Sequence, residues 1–186
     1  MTTWLLPGDI ILTDSGTSSF GIFNTKLPRD NVLVNQILWA SIGYAVGSAQ
    51  GAALTAKEHG TRRRTVLFEG DGSFQTACQG LSTMIREKLD VTMYVPVHLL
   101  VIFLESHYSA LFSSLICNNG YTIERAVHPT TATYNDVACW NHERLLSVFD
   151  NNTTRSRSFT IKTRKELQNM LTDPGFTSYQ GVQVCT

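Results

Sequence analysis

The sequence predicts an α/β fold built on a doubly wound parallel sheet, because short apolar runs alternate with longer helical patterns. The run TVLF at 65–68 is typical of a buried strand, and apolar residues recur at helical spacing over 73–89 directly after it. Near the C-terminus, residues 158–163 and 181–186 predict two further strands on either side of a helix. Strands that are separated by helices run parallel and are covered by helices on both faces of the sheet.

The remaining elements are predicted in chain order. Residues 8–14 form a short apolar run before a polar, Gly-containing segment, which predicts a strand followed by a loop. Residues 35–60 predict a long helix whose many Ala, Gly and Ser residues indicate close approach to the sheet or to a ligand. Thr163 and Glu166 have the spacing of a capping box, so they predict the start of a C-terminal helix that Pro174 ends.

The length and composition indicate one globular domain. The chain has 186 residues, 42% of them apolar, and a formal net charge of zero, so nothing favours nucleic acid or an anionic membrane surface as a partner. The start of the chain has no basic segment before an apolar stretch, so we expect no secretory signal and a cytoplasmic protein. The widely spaced cysteines fit reduced thiols better than a disulfide framework or a zinc site; they are Cys78, Cys117, Cys139 and Cys185.

The GDGS motif at 70–73 follows the predicted strand at 65–68, with only Glu69 between them. In open parallel sheets, ligands bind beyond the carboxyl ends of the strands, where helix N-termini offer free N–H groups. A carboxylate at this place would repel a phosphate unless a cation lay between them. Asp71 therefore makes sense as a ligand for Mg²⁺ that also holds a diphosphate. On these residues alone, an Asp-Gly turn without any ligand is the alternative.

A second motif follows the strand-like run at 115–117. Asn118 offers a side-chain amide oxygen, and Gly120, in a tight turn, offers a backbone carbonyl. Mg²⁺ prefers six oxygen ligands. Asp71, Asn118 and the Gly120 carbonyl, together with two diphosphate oxygens and a water molecule, would supply that set.

Together, GDGS at 70–73 and NNGYTIE at 118–124 resemble the signature of the thiamine diphosphate-dependent enzymes, specifically the pyruvate decarboxylase branch. The resemblance extends over nearly the whole chain, and ICNNGYTIER at 116–125 is most similar to the filamentous fungal members. It implies the diphosphate-binding fold, thiamine diphosphate and Mg²⁺ as cofactors, and non-oxidative decarboxylation of a 2-oxo acid such as pyruvate. It also implies a homo-oligomeric enzyme, a dimer or a tetramer.

The resemblance also assigns roles to individual residues. Asp71, Asn118 and the Gly120 carbonyl would bind Mg²⁺, Ile42 would bend the cofactor, and Glu124 would transfer protons. Ala40 stands where the family commonly has Gly, and we expect no catalytic role for His128. The residues that the resemblance places at the cofactor are Thr17, Ala40, Ser41, Ile42, Gly72, Ser73, Asn118, Asn119, Gly120, Tyr121, Thr122 and Ile123.

Two departures from the family leave alternatives open. The chain resembles only the C-terminal diphosphate-binding domain, whereas the family has further domains that complete the active site. In addition, Asp71 and Asn118 lie 47 positions apart, which is wider than the family's spacing, and the excess falls at about 93–114.

The excess is explained by a genuine insertion or by a retained intron. Codons for Met93-Tyr94-Val95 can contain GTATGT, a common fungal 5′ splice site, and a serine codon at Ser113 or Ser114 can supply the terminal AG. Splicing would leave LDVTISLICNNGYTIE or LDVTILICNNGYTIE. The chain is accordingly expected to be the cofactor-binding part of a decarboxylase or, alternatively, a non-catalytic fragment that at most binds diphosphate and Mg²⁺.

Overall fold

The computed structural model describes residues 4–23, 25–61, 63–95, 120–128, 131–150 and 155–186. Six strands in this part of the chain form one sheet in the order β2-β1-β3-β4-β6-β5, and every neighbouring pair is parallel. The strands are β1 (Ile10–Thr13), β2 (Val32–Val34), β3 (Thr65–Phe68), β4 (Val91–Tyr94), β5 (Ser156–Phe159) and β6 (Val182–Cys185). The predicted parallel α/β architecture is confirmed.

Helices cover both faces of this sheet. They are α1 (Thr17–Phe23), α2 (Tyr44–Glu58), α3 (Asp71–Ala77), α4 (Gly80–Arg86), α5 (Thr122–Val127), α6 (Leu145–Phe149), α7 (Arg164–Thr172) and α8 (Pro174–Thr177), with 3₁₀ turns at Thr133–Asn135 and His142–Arg144. None of the helices in the described ranges combines the length and the apolar character needed to cross a membrane.

The buried side chains divide between the two faces because successive strand residues point to opposite sides. In β3, Leu67 packs with the helices α2 to α4 on one face. Its neighbours Val66 and Phe68 pack on the other face, with Leu167 of α7 and Phe176 of α8. All four residues of β3 are buried, as expected for an inner strand covered on both sides.

The long helix predicted at 35–60 is wrong in its first nine residues. Helix α2 begins only at Tyr44, and Gly43 before it has a φ of 87°, which is incompatible with a continuing right-handed helix. Ala40 also has a positive φ, of 46°. Residues 35–43 are therefore a loop, and this loop contributes to the candidate site. Apolar spacing alone did not distinguish the loop from a helix.

The helix predicted at 73–89 is observed as two helices. Helix α3 begins two residues early, at Asp71, and a turn at 78–79 separates it from α4. The turn brings Gly80 against α2, where a Cβ atom would lie 2.7 Å from Val46 Cγ1. The break thus permits a close contact between the helices.

At the C-terminus, the capping box is confirmed. The Thr163 hydroxyl accepts a hydrogen bond from the Glu166 N–H, and the Glu166 carboxylate accepts one from the Thr163 N–H. Pro174 begins the short helix α8 after α7 has ended at Thr172. The strand predicted at 158–163 lies earlier, as β5.

The segment predicted as an insertion, 93–114, begins inside β4. Met93 is level with Leu67 and Tyr94 with Phe68 in β3, and the Val95 N–H donates to the Cys185 carbonyl. The rest of that segment, together with the strand predicted at 115–117 and with Asn118 and Asn119, lies outside the described residues.

Candidate functional site

A cavity of about 250 Å³ lies at the carboxyl ends of β1 and β3. It is formed by three loops and by the start of α5. Its lining residues are Ser15, Gly16, Thr17, Ala40, Ile42, Gly70, Asp71, Gly72, Ser73, Gly120, Tyr121, Thr122, Ile123 and Glu124. The structure thus brings together most of the residues that the sequence singled out. Of the others, Ser41 is absent from the lining, and Asn118 and Asn119 lie outside the described residues.

Asp71 lines this cavity and follows the end of β3 by three residues. Its Oδ1 accepts a hydrogen bond of 2.8 Å from the Gly72 N–H. Partial burial raises the pKa of the Asp71 carboxyl, while that hydrogen bond and the nearby His142 and Arg125 side chains lower it. A partly desolvated carboxylate of this kind is stabilised further by a bound cation.

The two glycine motifs pack directly against each other. A Cβ atom on Gly72 would lie 2.9 Å from Tyr121 Cε1 and 3.2 Å from Val137 Cγ2. A side chain at this position would therefore push Tyr121 away from the start of α3. The absence of a side chain lets the backbone at 70–73 and the turn at 120–122 approach each other closely, and both line the same cavity.

The turn at Gly120 is held by a short antiparallel contact. Gly120 bridges to Asp136, and the Tyr121 N–H donates to the Asn135 carbonyl at 2.9 Å. The Arg125 guanidinium reaches back over this turn and pairs with the Asp136 carboxylate, Nη2 to Oδ1, at 2.5 Å.

The loop at 35–43 is fixed by Asp14, at the end of β1. The Asp14 carboxylate accepts hydrogen bonds of 3.0–3.1 Å from the N–H groups of Gly43 and Ala45. This contact places Ala40 and Ile42 on the wall of the cavity, and half of the Ile42 side chain is exposed there. The Ser41 N–H donates to Gln36 Oε1 at 2.7 Å, so Ser41 stabilises the loop itself.

Beneath the cavity, Glu69 connects Asp14 to helix α3. Its Oε1 accepts a hydrogen bond from the Ser73 hydroxyl, and its other oxygen has no donor among the described residues. Burial is the main cause that raises the pKa of Glu69 well above its usual value, and the Asp14 carboxyl adds to it. The pKa of Asp14 is also raised, again mainly by burial.

Sequence reasoning gave no role to this acidic pair, nor to Arg125 and Asp136. Glu69 had one signal, because it is a charged residue directly after the predicted buried strand at 65–68. The contact of Glu69 with Asp14 joins residues 55 positions apart. A pattern within one segment does not reveal it.

Glu124 lies in the first turn of α5 and lines the cavity. Its Oε2 is 3.6 Å from Nε2 of His128, one turn later, and both side chains are about half exposed. The structure therefore places His128, for which we expected no catalytic role, beside the predicted proton-transfer residue. His142 is instead buried, with its ring next to those of Phe74 and Trp140, and burial lowers its pKa.

The residues present fit a magnesium diphosphate group. The cavity is lined by a partly buried carboxylate at Asp71, by the backbone of Gly72 and Ser73, and by the turn at Gly120. Within the described ranges, no group of three or more His, Cys, Asp and Glu side chains could bind a metal. The predicted magnesium site does not require such a group, because its protein ligands are one carboxylate and neutral oxygens.

Comparison with known proteins agrees with this geometry. The profile of the thiamine pyrophosphate enzyme C-terminal TPP binding domain matches residues 14–96. The chain is 40% identical over 181 residues to a pyruvate decarboxylase of Aspergillus terreus, covering 97% of this chain and 28% of the relative. It is 38% identical over 176 residues to that of Candida albicans, covering 95% of this chain and 27% of the relative.

A solved structure shows the same fold. The chain superposes on benzoylformate decarboxylase from Polynucleobacter necessarius with a TM-score of 0.71 and 16% identity, covering 99% of this chain and 30% of that one. The chain spans less than a third of the length of the relatives that it matches. Residues 14–96 are thus similar to the C-terminal TPP binding domain of the thiamine pyrophosphate enzymes, and the chain is similar over nearly its whole length to fungal pyruvate decarboxylases.

Proposed function

We propose that the chain is the cofactor-binding part of a thiamine diphosphate- and Mg²⁺-dependent decarboxylase that converts a 2-oxo acid, such as pyruvate, to an aldehyde and carbon dioxide. The observation that carries the proposal is the single cavity lined by Asp71, Gly72, Gly120 and Glu124. Two motifs that are far apart in sequence supply its acidic and backbone groups. The relatives that share this domain are named pyruvate decarboxylases.

The residues at the diphosphate end have a binding role. Asp71, the Gly120 carbonyl and Asn118 would hold Mg²⁺, and the backbone around Gly72 and Ser73 would face the diphosphate oxygens. Thiamine diphosphate, when bound, supplies the nucleophilic carbon and the electron sink that cleavage beside a carbonyl requires. The apolar Ile42 side chain lies on the opposite wall and would orient the cofactor.

Glu124 is the acid–base group in this proposal. Release of carbon dioxide from a 2-oxo acid leaves an electron pair on carbon, and aldehyde formation requires a proton at that carbon. The Glu124 carboxyl lines the cavity and is half exposed, so it can deliver a proton and regain it from water.

The remaining parts of the active site would come from chain that this sequence does not include. The relatives are more than three times as long, so further domains and a second subunit would cover the exposed side of the cavity. The same proposal holds that the complete enzyme is cytoplasmic and homo-oligomeric.

The strand register supports removal of the segment that begins at Met93. Phe68 and Tyr94 are level in adjacent parallel strands, and Asp71 follows Phe68 by three residues. In the longer spliced sequence, LDVTISLICNNGYTIE, a Ser takes the level of Tyr94 and Asn118 follows it by four. Splicing would therefore place Asn118 beside Asp71 at the carboxyl edge of the sheet.

A non-catalytic fragment is the second candidate. Tyr94 favours it, because this residue lies in the segment that splicing would remove, yet it is buried and stacks on Phe68 with ring centroids 5.2 Å apart, which fits a genuine insertion. The loop residues Leu38 and Trp39 are also 91% and 84% exposed. An apolar surface of this kind makes the isolated chain prone to aggregation.

Carbon dioxide release from pyruvate tests the proposal. The chain as given should be inactive with saturating thiamine diphosphate and Mg²⁺, and so should a variant that lacks residues 93–113. The spliced sequence within a chain as long as the relatives should be active. Sequencing the transcript across codons 90–120 identifies which form is made. An inactive longer enzyme that also fails to bind thiamine diphosphate would refute the proposed function.

A further inference from the structure

Arg125 occupies a position that the proposed catalytic roles do not explain. It lies in the short helix α5, directly after Glu124, yet its side chain turns back toward the Gly120 turn instead of extending into solvent. Only 23% of the side chain is exposed. An arginine that were merely a solubilising surface residue would leave most of its side chain in water.

The guanidinium packs against the backbone of Gly120. A Cβ atom at Gly120 would lie 2.6 Å from Arg125 Nη2 and 2.8 Å from its Cζ. The same Cβ would lie 2.3 Å from the Asn135 carbonyl oxygen. Gly120 is therefore enclosed between the guanidinium and the 133–136 segment, and any side chain at this position would displace one of them.

The guanidinium is oriented by Asp136. Arg125 Nη2 and Asp136 Oδ1 are 2.5 Å apart, and Asp136 is also the residue to which Gly120 bridges. The Tyr121 N–H bonds to the adjacent Asn135 carbonyl. The ion pair and the backbone contacts thus join the same two segments, the turn at 120–121 and residues 135–136. An ion pair with a 60% exposed partner is weak alone, but here it is added to the backbone contacts of the same turn.

The charge of Arg125 also reaches the proposed metal end of the cavity. The guanidinium packs on Gly120, and Gly120 lines the same cavity as Asp71. In the described part of the chain, the residues that line the cavity include no lysine or arginine. A diphosphate with one Mg²⁺ keeps a negative charge, so a nearby guanidinium would stabilise it.

We propose that Arg125 is the positioning residue of the diphosphate-binding turn: paired with Asp136, it clamps the Gly120–Tyr121 backbone in place and holds a positive charge beside the diphosphate. The charge role rests on the proposed function, whereas the clamping role concerns the chain itself. The two roles are separable by experiment.

Hydrogen exchange at the Tyr121 amide tests the clamp without any cofactor, in the 186-residue chain. Arg125→Gln and Asp136→Asn should each speed this exchange about tenfold, because the hydrogen bond to Asn135 opens more often. Arg86→Gln is the matched control, since Arg86 is an exposed helical arginine paired with Glu87. Exchange at Leu67 in β3 shows whether each variant is folded. Unchanged Tyr121 exchange in a folded Arg125→Gln variant would overturn the clamp.

Thiamine diphosphate affinity in the longer enzyme, measured by fluorescence titration with Mg²⁺, tests the charge. Arg125→Gln should weaken binding about tenfold or more, and Arg125→Lys should recover part of that loss. In the double variant Arg125→Asp with Asp136→Arg, the two charges trade places. Compared with Arg125→Asp alone, it should regain the protection of the Tyr121 amide from hydrogen exchange but not the affinity for thiamine diphosphate. The proposal would be overturned if Arg125→Gln and wild type bound thiamine diphosphate with equal affinity. It would also be overturned if the double variant protected the Tyr121 amide no better than Arg125→Asp does. A wild-type enzyme that binds no thiamine diphosphate would instead refute the proposed function. The hydrogen-exchange measurement at Tyr121 would still test the clamp, because it needs no cofactor.

Discussion

The buried carboxyl groups of Asp14 and Glu69 interact electrostatically beneath the cavity, and neither residue is exposed to solvent. Asp14 receives two backbone N–H groups from the start of α2, and Glu69 receives the Ser73 hydroxyl from α3. The two N–H groups stabilise the ionised form of Asp14. Burial and the Asp14 charge outweigh the Ser73 hydroxyl and raise the pKa of Glu69, so the proton belongs on Glu69. The pair thereby joins the two loops that carry Ile42 and Asp71.

This pair predicts a pH-dependent stability. The folded state keeps on Glu69 a proton that the unfolded chain releases above the usual pKa of 4.5, so stability falls as pH rises from about that value. Glu69→Gln keeps a hydrogen-bond donor without needing a proton, so the variant should lose less stability toward pH 8. Urea unfolding at pH 5 and pH 8 measures the difference. The exposed Glu58→Gln change is the control, and an identical pH dependence in Glu69→Gln and wild type would contradict this prediction.

Gly43→Ala should destabilise the fold strongly. The φ of 87° is unfavourable for alanine, and the new Cβ would lie 1.9 Å from Thr76 Oγ1. We expect a loss of about 2–4 kcal/mol in the free energy of unfolding. The matched control is Gly51→Ala, also in the α2 region, where a Cβ meets nothing within 4 Å and should add about 0.5–1 kcal/mol. Equal stabilities of the two variants in urea unfolding would show that the loop adapts.

Asp71→Ala should abolish retention of thiamine diphosphate in the longer enzyme, because it removes the one anionic protein ligand of the proposed Mg²⁺ site. Cofactor that stays with the protein through gel filtration is the measurement. Asp90→Ala is the control, since Asp90 is an acidic residue at the amino end of β4, whereas the cavity lies at the carboxyl ends of the strands. Retained cofactor and near-normal turnover in Asp71→Ala would refute the metal assignment.

Glu124→Gln should reduce turnover of the longer enzyme by roughly 10²–10⁴ while leaving cofactor affinity nearly unchanged. The substitution keeps the size of the side chain and removes its transferable proton. Steady-state rates of carbon dioxide release and a fluorescence titration of the cofactor measure the two effects separately. If the rate falls by less than tenfold, Glu124 is not a principal acid–base group.

The sequence by itself determined the fold class and the two motifs of the site. Strands and helices alternate at spacings that local hydrophobic periodicity reveals, and GDGS at 70–73 begins one residue after a predicted buried strand. The capping box at Thr163 was also predicted, because a cap depends on residues three positions apart.

Only the tertiary structure decided which residues meet across the sheet. Residues 35–43 have a helical composition, yet two hydrogen bonds to Asp14 and the left-handed backbone at Gly43 turn them into a loop on the cavity wall. The carboxyl pair and the Arg125 clamp likewise join residues from different elements. Local propensity is a weak preference that such long-range contacts override, so these features could not be predicted from one segment at a time.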